Sequence, residues 1–445
     1  MTTTAVEQVD PATLRKVIVA AAIGNFVEWF DFAVYGFLAT TIALLFFPSG
    51  DPSVALLKTF AVFAVAFAFR PLGGIFFGML GDRIGRKRTL AMTILLMAAA
   101  TTLIGLLPTY ASIGVMAPVL LTLIRCAQGF SAGGEYAGAC AYVMEHAPND
   151  RRAWYGSFLP VSTFSAFATA AVFAYVLEAS LSAEVMASWG WRLPFLIAAP
   201  MGLIGLYLRW QLEETPAFQA VSDEHAVAHS PLKETLTRQA RPMLCLGAFV
   251  SLTALSFYMF TTYFATYLQV AGGLSRATAL LVALIALLFA AAICPLAGAF
   301  SDKVGRRKTI VTTCALLIVA VLPSFLMASS GSFAASVAGV MLLAVGAVLS
   351  GVVTAALLSE VFPTRTRYTA SAITYNMAYT LFGGTAPLVA TWLIATTGSN
   401  LAPAFYLVAV ALLALIGGLA LPETSRISLH DVPSMDKPGV ARSIA

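Results

Sequence analysis

Charge is scarce in this chain: 11% of its 445 residues are Asp, Glu, Lys or Arg, whereas 59% are hydrophobic and the mean hydropathy is +0.86. A water-soluble domain needs more polar surface, so the composition excludes one. Histidine is rarer still. His146, His225, His229 and His430 all map to loops or the tail, so a proton-handling group inside the long apolar runs has to be a carboxylate. The five cysteines, Cys126, Cys140, Cys245, Cys294 and Cys314, fall within apolar runs without Cys-x-x-Cys or zinc spacing; they read as packing residues, and no metal site is expected. No nucleophile constellation or appended soluble domain is present, so neither an enzyme nor a cofactor is expected. The net charge of +5 lies in short loops without a nucleic-acid module, which excludes a nucleic-acid partner. Met1 to Lys16 carries Glu7 and Asp10 and no small-residue cleavage site, so a cleaved signal peptide is not expected.

What the chain has in abundance is apolar sequence of membrane-spanning length. A hydrocarbon core of roughly 30 Å takes about 20 helical residues. Runs at 17–47, 56–80, 89–107, 113–145, 153–177, 190–210, 242–270, 277–300, 309–328, 333–361, 368–396 and 401–421 supply twelve spans, six and six. The expected fold is all-α and integral to the bilayer, with six-helix bundles at 17–210 and 242–421. Residues 1–16 form an N-terminal segment, 211–241 a polar linker and 422–445 a tail. Lys and Arg collect in alternate loops, at Arg15, Lys16, Arg83 to Arg88, Arg151, Arg152, Lys303 to Lys308, Arg365 and Arg367. Such loops stay in the cytoplasm, so both termini are expected there, with the bundle in the inner cell membrane.

One charged signature occurs twice, 220 positions apart: Gly81-Asp82-Arg83-Ile84-Gly85-Arg86-Lys87-Arg88 and Ser301-Asp302-Lys303-Val304-Gly305-Arg306-Arg307-Lys308. A charged turn repeated between apolar runs marks parallel repeats, each half supplying one rocking bundle. Further markers recur in the same order. Glu145 precedes Arg152 by seven residues and Glu360 precedes Arg367 by seven, while Glu214-Thr215 and Glu423-Thr424 close the sixth and twelfth spans. Asp82, Arg83, Arg86, Glu145, Arg152, Asp302, Arg306, Glu360 and Arg367 are therefore candidate gating residues, whose ion pairs hold one side closed and break when the bundles rock. Positive-inside topology with local helix caps accounts for the same residues.

Gly78 to Lys87 resembles the loop motif between spans two and three of the major facilitator superfamily, and Arg125-Cys126-Ala127-Gln128-Gly129 its fourth-span motif. Gly24 to Phe32, Arg70-Pro71-Leu72-Gly73-Gly74, Gln128 to Tyr136, Trp189 to Phe195 and Leu212 to Pro216 resemble the metabolite:proton symporter family within it. The resemblance covers nearly the whole chain. It implies proton-coupled uptake of a small polar metabolite, with permeases for proline and betaine, 2-oxoglutarate, citrate and shikimate among its members. The chain stops at Ala445 without the long charged heptad tail of the osmosensing branch, so osmotic gating through a coiled coil is not expected.

Ionisable groups at mid-depth are costly and are functional candidates by default. Here they are Glu28 and Asp31 in span one, Arg70 in span two, and Arg125 and Glu135 in span four; spans seven to twelve hold none. At about 1.5 Å per residue, Glu28, Asp31, Arg70 and Glu135 lie roughly 15–21 Å from the cytoplasmic ends, and Arg125 nearer the outside. Arg70 suggests a neutralising pair, with Asp31 the better partner if spans one and two are neighbours. Proton coupling is assigned first to Glu135, then to Asp31 and Glu28. Substrate candidates are Arg70, Arg125, Gln128, Tyr258, Tyr375, Asn376 and Tyr379; aromatic faces suit a quaternary ammonium, and an ordinary packing belt is the alternative, favoured for Tyr267. Gly129, Gly133, Gly134 and Gly138 read as a close helix approach.

Three interior acids against two arginines give no positive surplus, which favours a zwitterion such as proline or glycine betaine over organic carboxylates. A drug/proton antiporter of the same fold is the third reading. The expected partners are a small-molecule substrate, protons and the lipid bilayer, and the carrier is expected to be a monomer.

Overall fold

The computed structural model describes residues 11–48, 52–211, 213–215, 218–219, 231–429 and 432, and among these there is no strand. Linker residues 212, 216–217 and 220–230, most of the tail, and with them His225, His229 and His430 lie outside the described residues. Among the described residues, eleven helices are long and apolar enough to cross a membrane. They are α1 (Ala12–Phe37), α2 (Ala61–Ile84), α3 (Arg86–Leu106), α5 (Arg152–Leu177), α6 (Gly190–Trp210), α7 (Ala240–Val270), α8 (Ala277–Val304), α9 (Arg306–Ala328), α10 (Phe333–Glu360), α11 (Arg367–Thr397) and α12 (Ala402–Leu419). The remaining expected span is α4, one continuous helix over Met116–His146. Its Arg125, Gln128, Glu135 and glycines lower its hydropathy below that of the others, and 21 of its 31 residues are buried; it is the interior helix of its half.

Boundaries differ from the sequence expectation in two places. The first apolar run is not one helix: the chain breaks at Leu38 and resumes as a short helix, Ala39–Phe46. His146 is not in a loop; it is the last residue of α4, buried, with Nδ1 2.8 Å from the Tyr142 carbonyl and its ring against Tyr142.

Packing repeats between the halves. Helix α4 is flanked by α2 and α3 as α10 is by α8 and α9, while α3 meets α6 as α9 meets α12. The halves meet along two seams, α2 against α11 and α5 against α8. Glycine sets the α2–α4 distance: a Cβ at Gly129 would lie 1.9 Å from the Ala66 carbonyl oxygen, and one at Gly133 2.1 Å from that of Arg70. Any side chain there would force the helices apart. Two π-helical turns, Met259–Tyr263 in α7 and Tyr379–Gly383 in α11, break the regular ladder within the second half.

Candidate transport site

The duplicated signature builds the same device twice. In each copy a glycine with positive φ, Gly85 at 103° and Gly305 at 93°, turns the chain between two spans, a conformation that only glycine adopts without strain. Glu214 then accepts from the amides of Arg86 at 2.9 Å and Lys87 at 3.1 Å, and Glu423 from those of Arg306 at 2.8 Å and Arg307 at 3.0 Å. Each carboxylate satisfies amides that a helix start leaves unpaired.

The signature aspartates reach across to the opposite half. Asp82 accepts from the amides of Tyr368 at 3.2 Å and Thr369 at 2.8 Å, at the start of α11. Asp302 accepts from Ala153 at 3.0 Å and Trp154 at 2.8 Å, at the start of α5. The glutamate–arginine pairs also cross. Glu145 does not pair with Arg152, seven residues on, but with Arg367 at 2.6 Å and Arg86 at 3.5 Å. Glu360 pairs with Arg306 at 2.9 Å and Arg152 at 3.4 Å. Thr215 donates to Glu145 and Thr424 to Glu360. Arg86, Arg152, Arg306 and Arg367 are fully buried, whereas Arg83 is exposed. The start of the tail lies over the same charges: the carbonyl of Ile427 accepts from Arg152 at 2.6 Å and that of Leu429 from Arg367 at 2.8 Å.

Deeper in the bundle, three ion pairs occupy the first six spans. The pairing differs from the sequence expectation: Arg70 meets Glu28, at 3.0 Å, and not Asp31. Asp31 lies one helical turn further along α1, opposite Arg125, at 3.7 Å. Gln128 joins those two, accepting from Arg125 at 2.8 Å and donating to Asp31 at 2.6 Å and Thr101 at 2.9 Å. The third pair, Glu135 with Arg209 of α6, includes a residue that the sequence reading missed. Thr93 also donates to Glu135, at 2.5 Å. Arg209 has the appearance of a topology signal at the end of a span; the clue was that it falls before Trp210, inside the apolar run.

The Arg70 guanidinium lies 5.5–5.8 Å from the ring centres of Trp29, Phe32 and Phe67. Trp29 meets Phe257 at 5.1 Å and Tyr379 at 6.5 Å in the other half. Tyr375 is sandwiched between Tyr136 at 4.5 Å and Tyr379 at 4.0 Å, and Tyr258 stands 6.2 Å from Tyr379. Tyr258, Tyr375, Asn376 and Tyr379 thus gather around Arg70, whereas Arg125 and Gln128 belong to the second pair. Glu28 Oε2, Arg70 Nη1 and the Tyr258 hydroxyl are buried without a hydrogen-bond partner, and such groups in a low-dielectric interior favour a polar ligand. Tyr267 packs on Phe325 at 4.9 Å and bonds the Asn400 carbonyl at 3.1 Å, a structural position.

Long apolar helices, a charged turn built twice and ion pairs buried at mid-depth define a multi-pass membrane transporter and not an enzyme. Residues 21–387 match the family described as Major Facilitator Superfamily, and the chain belongs to it. A proline/betaine transporter of Salmonella typhimurium is 40% identical over 427 residues, covering 94% of this chain and 85% of that protein. The ectoine/proline transporter ProP of Corynebacterium glutamicum is 38% identical over 435 residues, covering 95% and 86%. Among solved structures, the proton:xylose symporter XylE bound to 6-bromo-6-deoxy-D-glucose superposes with a TM-score of 0.77 at 17% identity, over 95% of this chain and 98% of that one. At that identity the likeness is one of fold.

Proposed function

We propose that this chain is a proton symporter that imports a zwitterionic compatible solute of the glycine betaine or proline type. The observation that carries the reading is the buried Glu28–Arg70 pair, 3.0 Å apart, enclosed by aromatic rings from both halves. A carboxylate of the substrate takes the free edge of Arg70, and its ammonium lies against Trp29, Tyr258 and Tyr379 by cation–π attraction. The relatives named for proline, betaine and ectoine support this chemistry. So does the interior charge: with Arg209 counted, three acids face three arginines, which leaves no surplus cation for a di- or tricarboxylate.

Glu28 is the coupling carboxylate in this reading, ahead of Asp31 and Glu135. Glu28 and Asp31 each keep a carboxylate oxygen without a hydrogen-bond partner, but Glu28 sits beside the substrate groups, whereas Asp31 is held by Arg125 and Gln128 in the second pair and Glu135 by Arg209 and Thr93. Protonation of Glu28 frees Arg70 for the substrate. The bundles at 17–210 and 242–421 then rock, and the crossing pairs Glu145–Arg367 and Glu360–Arg152 part on the cytoplasmic side. The carrier works as a monomer in the inner membrane with both termini inside.

The test is uptake of labelled glycine betaine and of 2-oxoglutarate into proteoliposomes, with an inward proton gradient and with that gradient collapsed. Gradient-dependent betaine uptake is expected, lost in Arg70→Leu. Gradient-dependent 2-oxoglutarate uptake without betaine uptake would replace the zwitterion by a carboxylate, and export of hydrophobic cations would make the chain an antiporter.

A further inference from the structure

Arg70 divides its guanidinium between the two halves of the molecule. Nη2 lies 3.0 Å from Glu28 Oε1 in α1, and Nε donates to Asn376 Oδ1 in α11 at 3.2 Å. The Asn376 amide nitrogen donates in turn to the carbonyl of Gly133 in α4 at 2.6 Å and to that of Ala372 in its own helix at 2.7 Å. A guanidinium only donates and a carbonyl only accepts, so the amide can be oriented in one way alone. Glycine makes the room: a Cβ at Gly74 would lie 2.7 Å from Asn376 Nδ2. Arg70, Glu28 and Asn376 are all buried.

We propose that Asn376 is a positioning residue that ties α11 to the first half through Arg70, so that the state of the Glu28–Arg70 pair decides whether the α2–α11 seam holds. This rests on the reading of Glu28 as the coupling carboxylate. Nε meets Asn376 while the Nη edge of the same rigid, planar group is turned to Glu28. Neutralising Glu28, or offering Arg70 a substrate carboxylate, re-aims that edge and takes Nε off its acceptor. Besides the Asn376 bond to the Gly133 carbonyl, other ties among the described residues of the seam are Asp82 to the start of α11, the Tyr368 hydroxyl to the Gly134 carbonyl at 2.6 Å, and the Thr380 hydroxyl to the Phe67 carbonyl at 3.0 Å. Neither hydroxyl tie involves an ionic group, and Asp82 sits at the end of the bundle. The groups facing Glu28 are Arg70 from α2, Glu135 from α4, Arg209 from α6, Tyr258 from α7 and Tyr379 from α11.

The tie can be tested without any substrate, by peptide-resolved alkylation of native Cys140 with N-ethylmaleimide in the full-length protein. Cys140 is fully buried in α4, one turn from Tyr136, whose ring stacks on Tyr375 of α11; reagent reaches it when the seam parts. Asn376→Ala is expected to speed labelling about tenfold, the scale of one hydrogen bond to a charged group. Glu28→Gln should speed it similarly, and the double variant no further than Asn376→Ala alone, because both act through Arg70. Asn376→Asp, which keeps an acceptor for Nε but loses the donor to the Gly133 carbonyl, should label more slowly than Asn376→Ala. Should Asn376→Ala not fold, Asn376→Ser, too short to span both partners, is read in its place. Wild-type labelling in that variant, or additive effects of the two substitutions, would overturn the tie. Non-additivity in a protein that takes up no betaine would uphold the tie and sink the substrate reading alone; additivity in one that takes up betaine would do the reverse.

Discussion

The two halves of this carrier agree at one end and part company in the middle. At the signature end every element has its counterpart, from the glycine turn to the capping glutamate, the crossing aspartate and the glutamate that grips two arginines. At mid-depth the first half holds three ion pairs, whereas the described second half offers aromatic rings and hydroxyl contacts such as Thr253 with Thr354 at 2.8 Å. Duplication therefore kept the signature end alike in both halves and left the middle unlike. One half carries the buried ion pairs, and the other supplies an aromatic wall beside them.

The largest effect should fall on that asymmetry. Glu28→Gln is expected to lower gradient-driven accumulation at least about 100-fold while leaving substrate exchange, and Glu135→Gln to change accumulation less than about threefold, both read in proteoliposomes. The reverse order would return the coupling role to Glu135. A smaller effect tests the symmetry. Glu145→Gln and Glu360→Gln each strip a buried carboxylate from two arginines, and breaking such a set costs about 3–5 kcal/mol. Their losses in thermal stability should match, and a lopsided result would show that one copy of the device has become ornamental. The smallest effect separates the two caps. Burial pushes the Glu214 carboxyl above its ordinary range even though the Thr215, Arg86 and Lys87 amides oppose it. At Glu423 burial also raises the carboxyl, but the Arg306, Arg307 and Ser425 amides outweigh it and bring it below that range. A depressed carboxyl stabilises the fold above the unfolded value and loses that contribution as pH falls through the folded one. Glu423→Gln should therefore cost about a few tenths of a kcal/mol at pH 7 after solvent screening, and about nothing once the pH is well below the ordinary carboxylate range. A raised carboxyl works the other way, so Glu214→Gln should cost no stability at pH 7. Melting curves in detergent at the two pH values measure both.

Much of this was legible in the sequence because bilayer thickness and the expense of buried charge constrain it. The spans, the duplicated turn and the loading of charge into the first half follow from counting residues. Pair identities did not follow. Glu28 and Asp31 are three residues apart on one helix, and which of them meets Arg70 depends on the rotation of α1, which linear depth does not encode. Glu145 and Arg152 are neighbours in sequence, yet the turn between α4 and α5 sends Arg152 to Glu360 in the other half. The glycines of α4 were readable as a close approach because only a missing Cβ permits one.

The crossing contacts also order the making of the protein. As the first six spans leave the ribosome, Arg152 has neither Glu360 nor the Ile427 carbonyl to bind, and Asp82 has no α11 to cap. Arg367 acquires its Leu429 acceptor from residues synthesised after the twelfth span. The guanidinium groups at the signature end of the nascent first half therefore stay without these partners until the second half and the residues that follow α12 have been made.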